Sequence, residues 1–280
     1  MLLNLFNSGT IFQAESLKKG PAMKSINLIL TIIITFISLS VKAHFQLLLP
    51  DSDIIYNISK PLDFKAIFTH PMENGPIMSM GKPVRIGVIS SNGEENLLPA
   101  LKPFSPENKK AYTFSYKFKK PGDYIFFIEP APYWEPSEKK MIIHYTKIVI
   151  DVMGAGDGWD KQVGFPLEIE PLVRPYGFYT GNVFRGIVRK DGKPLPFAEV
   201  EVELYNSDKK YDVPSDVFIT QVVKTDANGV FSYAVPKAGW WGFAALTEGE
   251  KMKGPGGKDV NVEIGGLIWI KAVDMKERKK

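Results

Sequence analysis

The sequence predicts an all-β chain of two immunoglobulin-like β-sandwich domains behind an amino-terminal leader. Three observations carry that expectation. Short runs alternate apolar and polar residues with a period of two, as in Leu62 to Phe68 and Glu199 to Leu204, which puts one side of each run in a core and the other toward water. Turn-forming pairs such as Asn92-Gly93, Pro121-Gly122, Asp191-Gly192 and Asn228-Gly229 break the runs at intervals of roughly eight to twelve residues. After the leader, no stretch holds a convincing helical period.

Taken in order, the N-terminal domain (44–153) offers strands at Phe45–Leu49, Leu62–Phe68, Val84–Ile89, Tyr112–Phe118, Tyr124–Ile128 and Lys147–Val152. Gly154-Ala155-Gly156-Asp157-Gly158 is the most glycine-rich stretch and opens a linker that runs through residues 154–166. The C-terminal domain (167–280) offers Asn182–Arg189, Glu199–Leu204, Phe218–Lys224, Val230–Val235, Gly239–Leu246 and Leu267–Val273. In Glu199–Leu204 the pattern sends Val200, Val202 and Leu204 inward and Glu199, Glu201 and Glu203 outward. The basic tail 276–280 is expected to fray.

Residues 1–43 read as a leader. Met23 is the expected natural start. Lys24, the apolar run Ile26 to Leu39, and Val41 and Ala43 at the −3 and −1 positions make a secretory signal over residues 23–43, with cleavage after Ala43. The apolar run falls short of the ~20 residues that span a bilayer. The expectation is export to the periplasm or beyond, with no stable membrane insertion of the mature chain.

Composition excludes several classes of function. The 280 residues are 44% hydrophobic, enough for a substantial core, and contain no cysteine. Disulfides, thiolate metal sites and cysteine nucleophiles are therefore absent. The formal charge of +4 owes much to the leader, which holds four of the 35 basic residues and one of the 31 acidic ones. The chain from His44 onward is nearly neutral and without a basic block, which argues against nucleic acid as a partner.

The candidate chemistry lies in three histidines, His44, His70 and His144. Cleavage after Ala43 makes His44 the first residue, so that its α-amine and imidazole can chelate one ion together. Imidazole suits nickel, cobalt, copper and zinc. Met72, Met78 and Met80 bring thioethers close to His70 in sequence, and Glu73 an oxygen; these are weaker candidates, because methionine is commonly a gap-filler in a core. Trp240-Trp241 fits buried packing better than a sugar platform. Asp226 and Asn228 form a turn, because their glycine comes too early for a calcium loop and no later glutamate completes it.

His44-Phe45-Gln46-Leu47-Leu48-Leu49-Pro50, Thr69-His70-Pro71-Met72-Glu73, Tyr133-Trp134-Glu135-Pro136 and His144-Tyr145-Thr146-Lys147 resemble a bacterial family described as the periplasmic component of an ABC-type cobalt transport system, or as nickel uptake transporter proteins. Arg174-Pro175-Tyr176-Gly177, Gly181-Asn182-Val183-Phe184 and Thr225 to Leu246 fit the same family, and the second half also resembles carboxypeptidase-regulatory or transthyretin-like β-sandwiches. The resemblance spans most of residues 44–275. It implies capture of Ni²⁺ or Co²⁺ by His44, His70 and His144 and delivery to a membrane importer. The rival readings are a copper carrier, a copper histidine-brace oxidase, and a carbohydrate-binding or adhesion module.

Overall fold

Period-two alternation builds strands almost everywhere in the chain. The computed structural model describes residues 44–278; the leader and the last two lysines lie outside them. The first half contributes β1 (Phe45–Pro50), β2 (Ile54–Ile55), β3 (Leu62–Thr69), β4 (Arg85–Ser90), β5 (Gly93–Asn96), β6 (Lys102–Phe104), β7 (Ala111–Tyr116), β8 (Gly122–Glu129), β9 (Tyr133–Glu135) and β10 (Lys140–Val152). The second contributes β11 (Leu167–Pro171), β12 (Phe178–Tyr179), β13 (Val183–Lys190), β14 (Lys193–Pro194), β15 (Glu199–Leu204), β16 (Gln221–Lys224), β17 (Val230–Ala234), β18 (Gly239–Lys253) and β19 (Asp259–Val273). Single 3-10 turns at Leu98–Ala100, Pro106–Asn108 and Asp216–Phe218 are the helical content of the described residues. The chain is all-β.

The strands form three sheets. An 11-stranded sheet runs β16-β15-β18-β19-β10-β8-β4-β5, with β2, β9 and β12 at its margins. A four-stranded sheet, β1-β3-β7-β6, packs on one face of it, and β11, β13, β14 and β17 form another. Neighbouring residues of the central strands show that the two smaller sheets cover opposite faces. Ala244, Leu267 and Trp269 join the core beneath β1, β3 and β7, whereas Phe243, Ala245, Ile268 and Ile270 join the core beneath β11, β13 and β17. A strand buried on both faces reads as a continuous apolar run rather than as an alternation, and Leu267-Ile268-Trp269-Ile270 is one.

The expected linker, 154–166, falls between β10 and β11. Strands from both halves of the chain share the 11-stranded sheet, because β10 pairs in parallel with β19 from Met141↔Val262 to Ile148↔Trp269. Three strands run further than alternation indicates. β10 has 13 residues and β18 and β19 have 15 each. In β18 the extra length is the polar stretch from Thr247 to Lys253, ordered by pairing rather than by its own pattern. By contrast, β10 gains the apolar Met141, Ile142 and Ile143, and β19 gains the alternating Val260, Val262 and Ile264.

Glu203, expected to face water, is buried at 1% exposure. The loop that follows β3 covers it: the Met72 amide donates to one of its oxygens at 3.0 Å and the Thr220 hydroxyl to the other at 2.5 Å. Asp226 does close its own turn, accepting from the Asn228 and Val230 amides, with Gly229 at φ +76°. Among the described residues no helix is long and apolar enough to cross a membrane.

The last residues of the linker are fixed by a buried ion pair. Lys147 Nζ on β10 donates to Glu168 Oε1 on β11 at 2.5 Å. The same carboxylate accepts the amides of Val163, Gly164 and Phe165. Removing the ammonium leaves that buried carboxylate uncompensated. Lys147→Ala is expected to lower unfolding stability by about 3–5 kcal/mol, read as a reduced midpoint in chemical denaturation.

Candidate functional site

Strand register brings the first two histidines together. β1 and β3 are antiparallel with Phe45 opposite Thr69, so His44 and His70, one step beyond, stand side by side at the same end of the pair. Their ring centroids are 4.5 Å apart. Phe68, the penultimate residue of β3, underlies the group. The His44 ring stacks on it at 5.7 Å, and His144 meets it edge-on at 5.8 Å.

His144 comes from β10, which lies against β1. The Gln46 carbonyl accepts from both the Thr146 hydroxyl at 3.3 Å and the Trp269 indole at 3.0 Å, tying β1 to β10 and β19 two residues from each histidine. Opposite His144 stands Gly265. A Cβ there would lie 2.5 Å from His144 Cδ2, so only glycine leaves room for the ring. All three histidines are buried, at 7%, 8% and 2% exposure.

Two carboxylates orient the rings. Glu135, at the end of β9, lies 3.0 Å from His44 Nε2. Glu263 on β19 lies 3.2 Å from His144 Nε2 and also binds Lys140 Nζ. A carboxylate on one ring nitrogen fixes the tautomer and leaves the other free to act, as it does behind metal-bound histidines. His144 Nδ1 is buried with no hydrogen-bond partner. Beside His144 is a cavity of about 10 Å³, lined also by Gln46, Phe68, Met80 and Tyr133, room for a single water-sized body.

Electrostatics favour a neutral His44 ring. Burial lowers the His44 pKa, and the neighbouring His70 and His144 lower it further against the pull of Glu135. Burial pushes the Glu263 carboxyl up, but the His144 ring and the Lys140 ammonium outweigh it and hold the group down at about 2. Burial likewise opposes the Glu135 charge, and hydrogen bonds from Ser137 and His44 prevail, keeping it below the usual range. Neutral imidazole backed by carboxylate is the protonation state a metal requires. The donor set suits a borderline divalent ion. Among the described residues, however, no three His, Asp or Glu side chains stand ready-made at the spacing of a metal centre.

The weaker candidates scatter. Met80 lines the small cavity and its sulfur accepts from Gln46 Nε2 at 3.9 Å. The Met78 amide bonds to the Phe68 carbonyl. Met72 packs with the second core, and Glu73 occupies the loop after His70, half-buried. That loop is held from the second half of the chain. Asn206 donates its amide N–H to the Pro71 carbonyl and Nδ2 to the Met72 carbonyl, while Glu203 accepts from the Met72 amide. Reasoning from the sequence missed Glu263, Gly265 and Glu203 entirely. Glu135 lies within Tyr133-Trp134-Glu135-Pro136, one of the motifs that carry the family resemblance, and Gly265-Gly266 inside an apolar strand is itself a mark of close approach.

Glu203 gives the His70 loop a dependence on pH. Burial drives its carboxyl up to about 8, against the pull of its Thr220 and Met72 hydrogen bonds. A carboxyl raised in the folded state contributes stability that is complete below its ordinary pKa and is lost as pH rises through the folded value. Thermal stability is expected to fall as pH rises from about 4.5 to about 8, and Glu203→Gln to flatten that fall, in melting curves recorded across the range.

The chain is similar, at low sequence identity and low TM-score, to several solved structures. One belongs to a study of the host cell surface retention of a 1.5-MDa bacterial ice-binding adhesin, at 9% identity and TM-score 0.23, covering 82% of this chain and 64% of that one. Another holds the fibronectin(III)-like modules of Clostridium thermocellum CbhA, at 8% identity and TM-score 0.20, covering 84% and 99%. A third is the D00-D0 domain of intimin, at 11% identity and TM-score 0.20, covering 83% and 100%. No curated protein matches the sequence. A family profile matches residues 41–249, a span that takes in all three histidines; the chain belongs to the family described as "Domain of unknown function (DUF4198)".

Proposed function

We propose that the protein is an exported carrier of a divalent transition-metal ion, held between His44, His70 and His144 and passed to a membrane importer. One observation carries the reading. His44 and His144 pack on Phe68 and His70 lies against His44, all three buried; His44 and His144 are backed through Nε2 by a carboxylate, and His144 Nδ1 has no partner. Cleavage after Ala43 would add the His44 α-amine, which chelates together with Nδ1, the ring nitrogen that Glu135 does not occupy. Nickel and cobalt are the cargo that the resemblance in the sequence favours. The same nitrogens bind copper more tightly on intrinsic affinity, so a copper carrier is the neighbouring reading. Release would follow protonation of the imidazoles or competition from the importer's ligands.

Calorimetry of the chain beginning at His44, titrated with Ni²⁺, Co²⁺, Cu²⁺ and Zn²⁺, tests this. One ion per chain is expected. His144→Ala and a chain with one residue added before His44 should each lose most of the affinity, and Glu135→Gln about 10–100-fold. Equal affinity in all of these would remove the histidine site.

A second reading, a glycan-binding or adhesion module, is favoured by an open cleft of about 460 Å³ lined by Trp240, Tyr205, Tyr211, Asp51 and Lys65. Trp240 is half-buried, with Lys271 Nζ 5.3 Å from its ring centre. Aromatic faces beside polar groups are what a sugar ring requires. On this reading, binding to immobilised glycans would survive His44→Ala and disappear in Trp240→Ala. Trp241, by contrast, is buried and donates its indole N–H to the Lys237 carbonyl.

A further inference from the structure

The far end of β10 holds a second group of buried polar atoms without partners. Asp151 lies seven residues beyond His144 on the same strand, about 23 Å away at ~3.3 Å per residue. Directly across the ladder from it, on β8, stands Asp123. Both carboxylates are 3% exposed. Like charges facing each other across a pair of strands repel, and among the described residues neither takes part in an ion pair.

Both oxygens of Asp123 are buried without a hydrogen-bond partner, as are Asp151 Oδ1 and the Tyr176 hydroxyl. Tyr176, 7% exposed, packs with Ile125 and Val149 on the same face as the two aspartates. It is close enough to pull the Asp123 pKa down, yet its hydroxyl completes no hydrogen bond of good geometry. A buried carboxylate normally has both oxygens satisfied, so two facing each other with three oxygens unpaired require a cation or donors between them.

The surroundings add a backbone amide and a further acidic residue. The glycine-rich loop folds over this end of the sheet, with the Gly154 amide donating to Asp151 Oδ2 at 3.0 Å. Met153, Gly154 and Gly156 take φ values of 63°, 70° and 62°, which coil the loop tightly. A Cβ on Gly156 would lie 3.9 Å from both the Tyr176 hydroxyl and Arg174 Nη1, so the loop passes over the tyrosine, and its residue Asp157 adds to the negative field at Asp123. Asp53 is near but already engaged by the Gly177 amide. Arg174 is the nearest opposing charge; it is exposed and rests 5.9 Å from the Tyr176 ring.

We infer that Asp123 and Asp151, closed over by the carbonyls of the loop 153–157, form a binding site for calcium, with the Tyr176 hydroxyl holding a water of its shell. Carboxylate, carbonyl and water oxygens with no nitrogen or sulfur among them suit a hard cation. Two side-chain carboxylates with backbone carbonyls and water suffice for calcium, which does not require three acidic side chains. The site is separate from the histidine cluster in both position and donor chemistry. Burial pushes the Asp123 carboxyl up to about 6, against the pull of Tyr176 and Arg174.

Thermal melting of the metal-stripped full chain tests it, with CaCl2 or MgCl2 added to about 5 mM, well above the weaker affinities of exported calcium modules. Calcium is expected to raise the wild-type Tm by about 5 °C and magnesium by much less. Asp123→Asn should melt no lower than wild type in the metal-free state, because it removes a repulsion, and should show no calcium shift. His144→Ala should keep the shift. Calorimetry on the wild type, which needs no variant to fold, should give one calcium per chain. No heat and no shift, an equal shift with magnesium, or an undiminished shift in Asp123→Asn would each overturn the assignment.

Discussion

β10 and β19 lie side by side in parallel over eight residue pairs, from Met141↔Val262 to Ile148↔Trp269. The two segments are some 120 residues apart in the chain, and their pairing fuses both halves into one sheet. Because each face of that sheet is covered by a smaller one, both strands are buried on both sides, and their apolar side chains feed two cores at once. Parallel strands require a long crossover between them, and here the entire second half of the chain serves as that crossover. The buried Lys147–Glu168 pair pins the start of the crossover at the point where it leaves the sheet.

The same pairing sets out the histidine cluster. β19 places Glu263 and Gly265 beside His144, one orienting the ring and the other making room for it. β1 then docks on both strands through a single carbonyl, that of Gln46, and its register with β3 delivers His44 and His70 together. The loop after His70 is held by Glu203 and Asn206 from the second half. The C-terminal sandwich is therefore more than an appended domain, since it supplies the supports on which a precise arrangement of first-half histidines depends.

Charge is distributed sparingly through the interior. Glu263 is held low by the groups it pairs with, whereas Glu203 is raised by burial with only neutral partners. This contrast shows how the environment, and not residue type, decides which buried carboxyl remains charged near neutral pH. At opposite ends of β10 the chain also separates two donor chemistries, imidazole nitrogen around His144 and carboxylate oxygen around Asp151. Borderline and hard cations are told apart by that difference.

The strands with one wet face were legible in the sequence, because alternation is a local consequence of the pleat. Glu199–Leu204 matches its expected limits and Leu62–Thr69 extends its expectation by one residue. The three histidines were also legible as candidates, from residue type and position alone. Glu203 was not: its outward position in the alternation is correct, and a loop 130 residues away then covers it. Nor was the first half of β10 read as strand, since Lys140 to His144 lack a clean alternation and are extended through pairing with β9 and β19. By itself the sequence determined an all-β chain, its turns, and the nitrogen and oxygen donors available to it. The tertiary structure decided which donors meet, because register and parallel pairing act between segments whose separation leaves no trace in any local pattern.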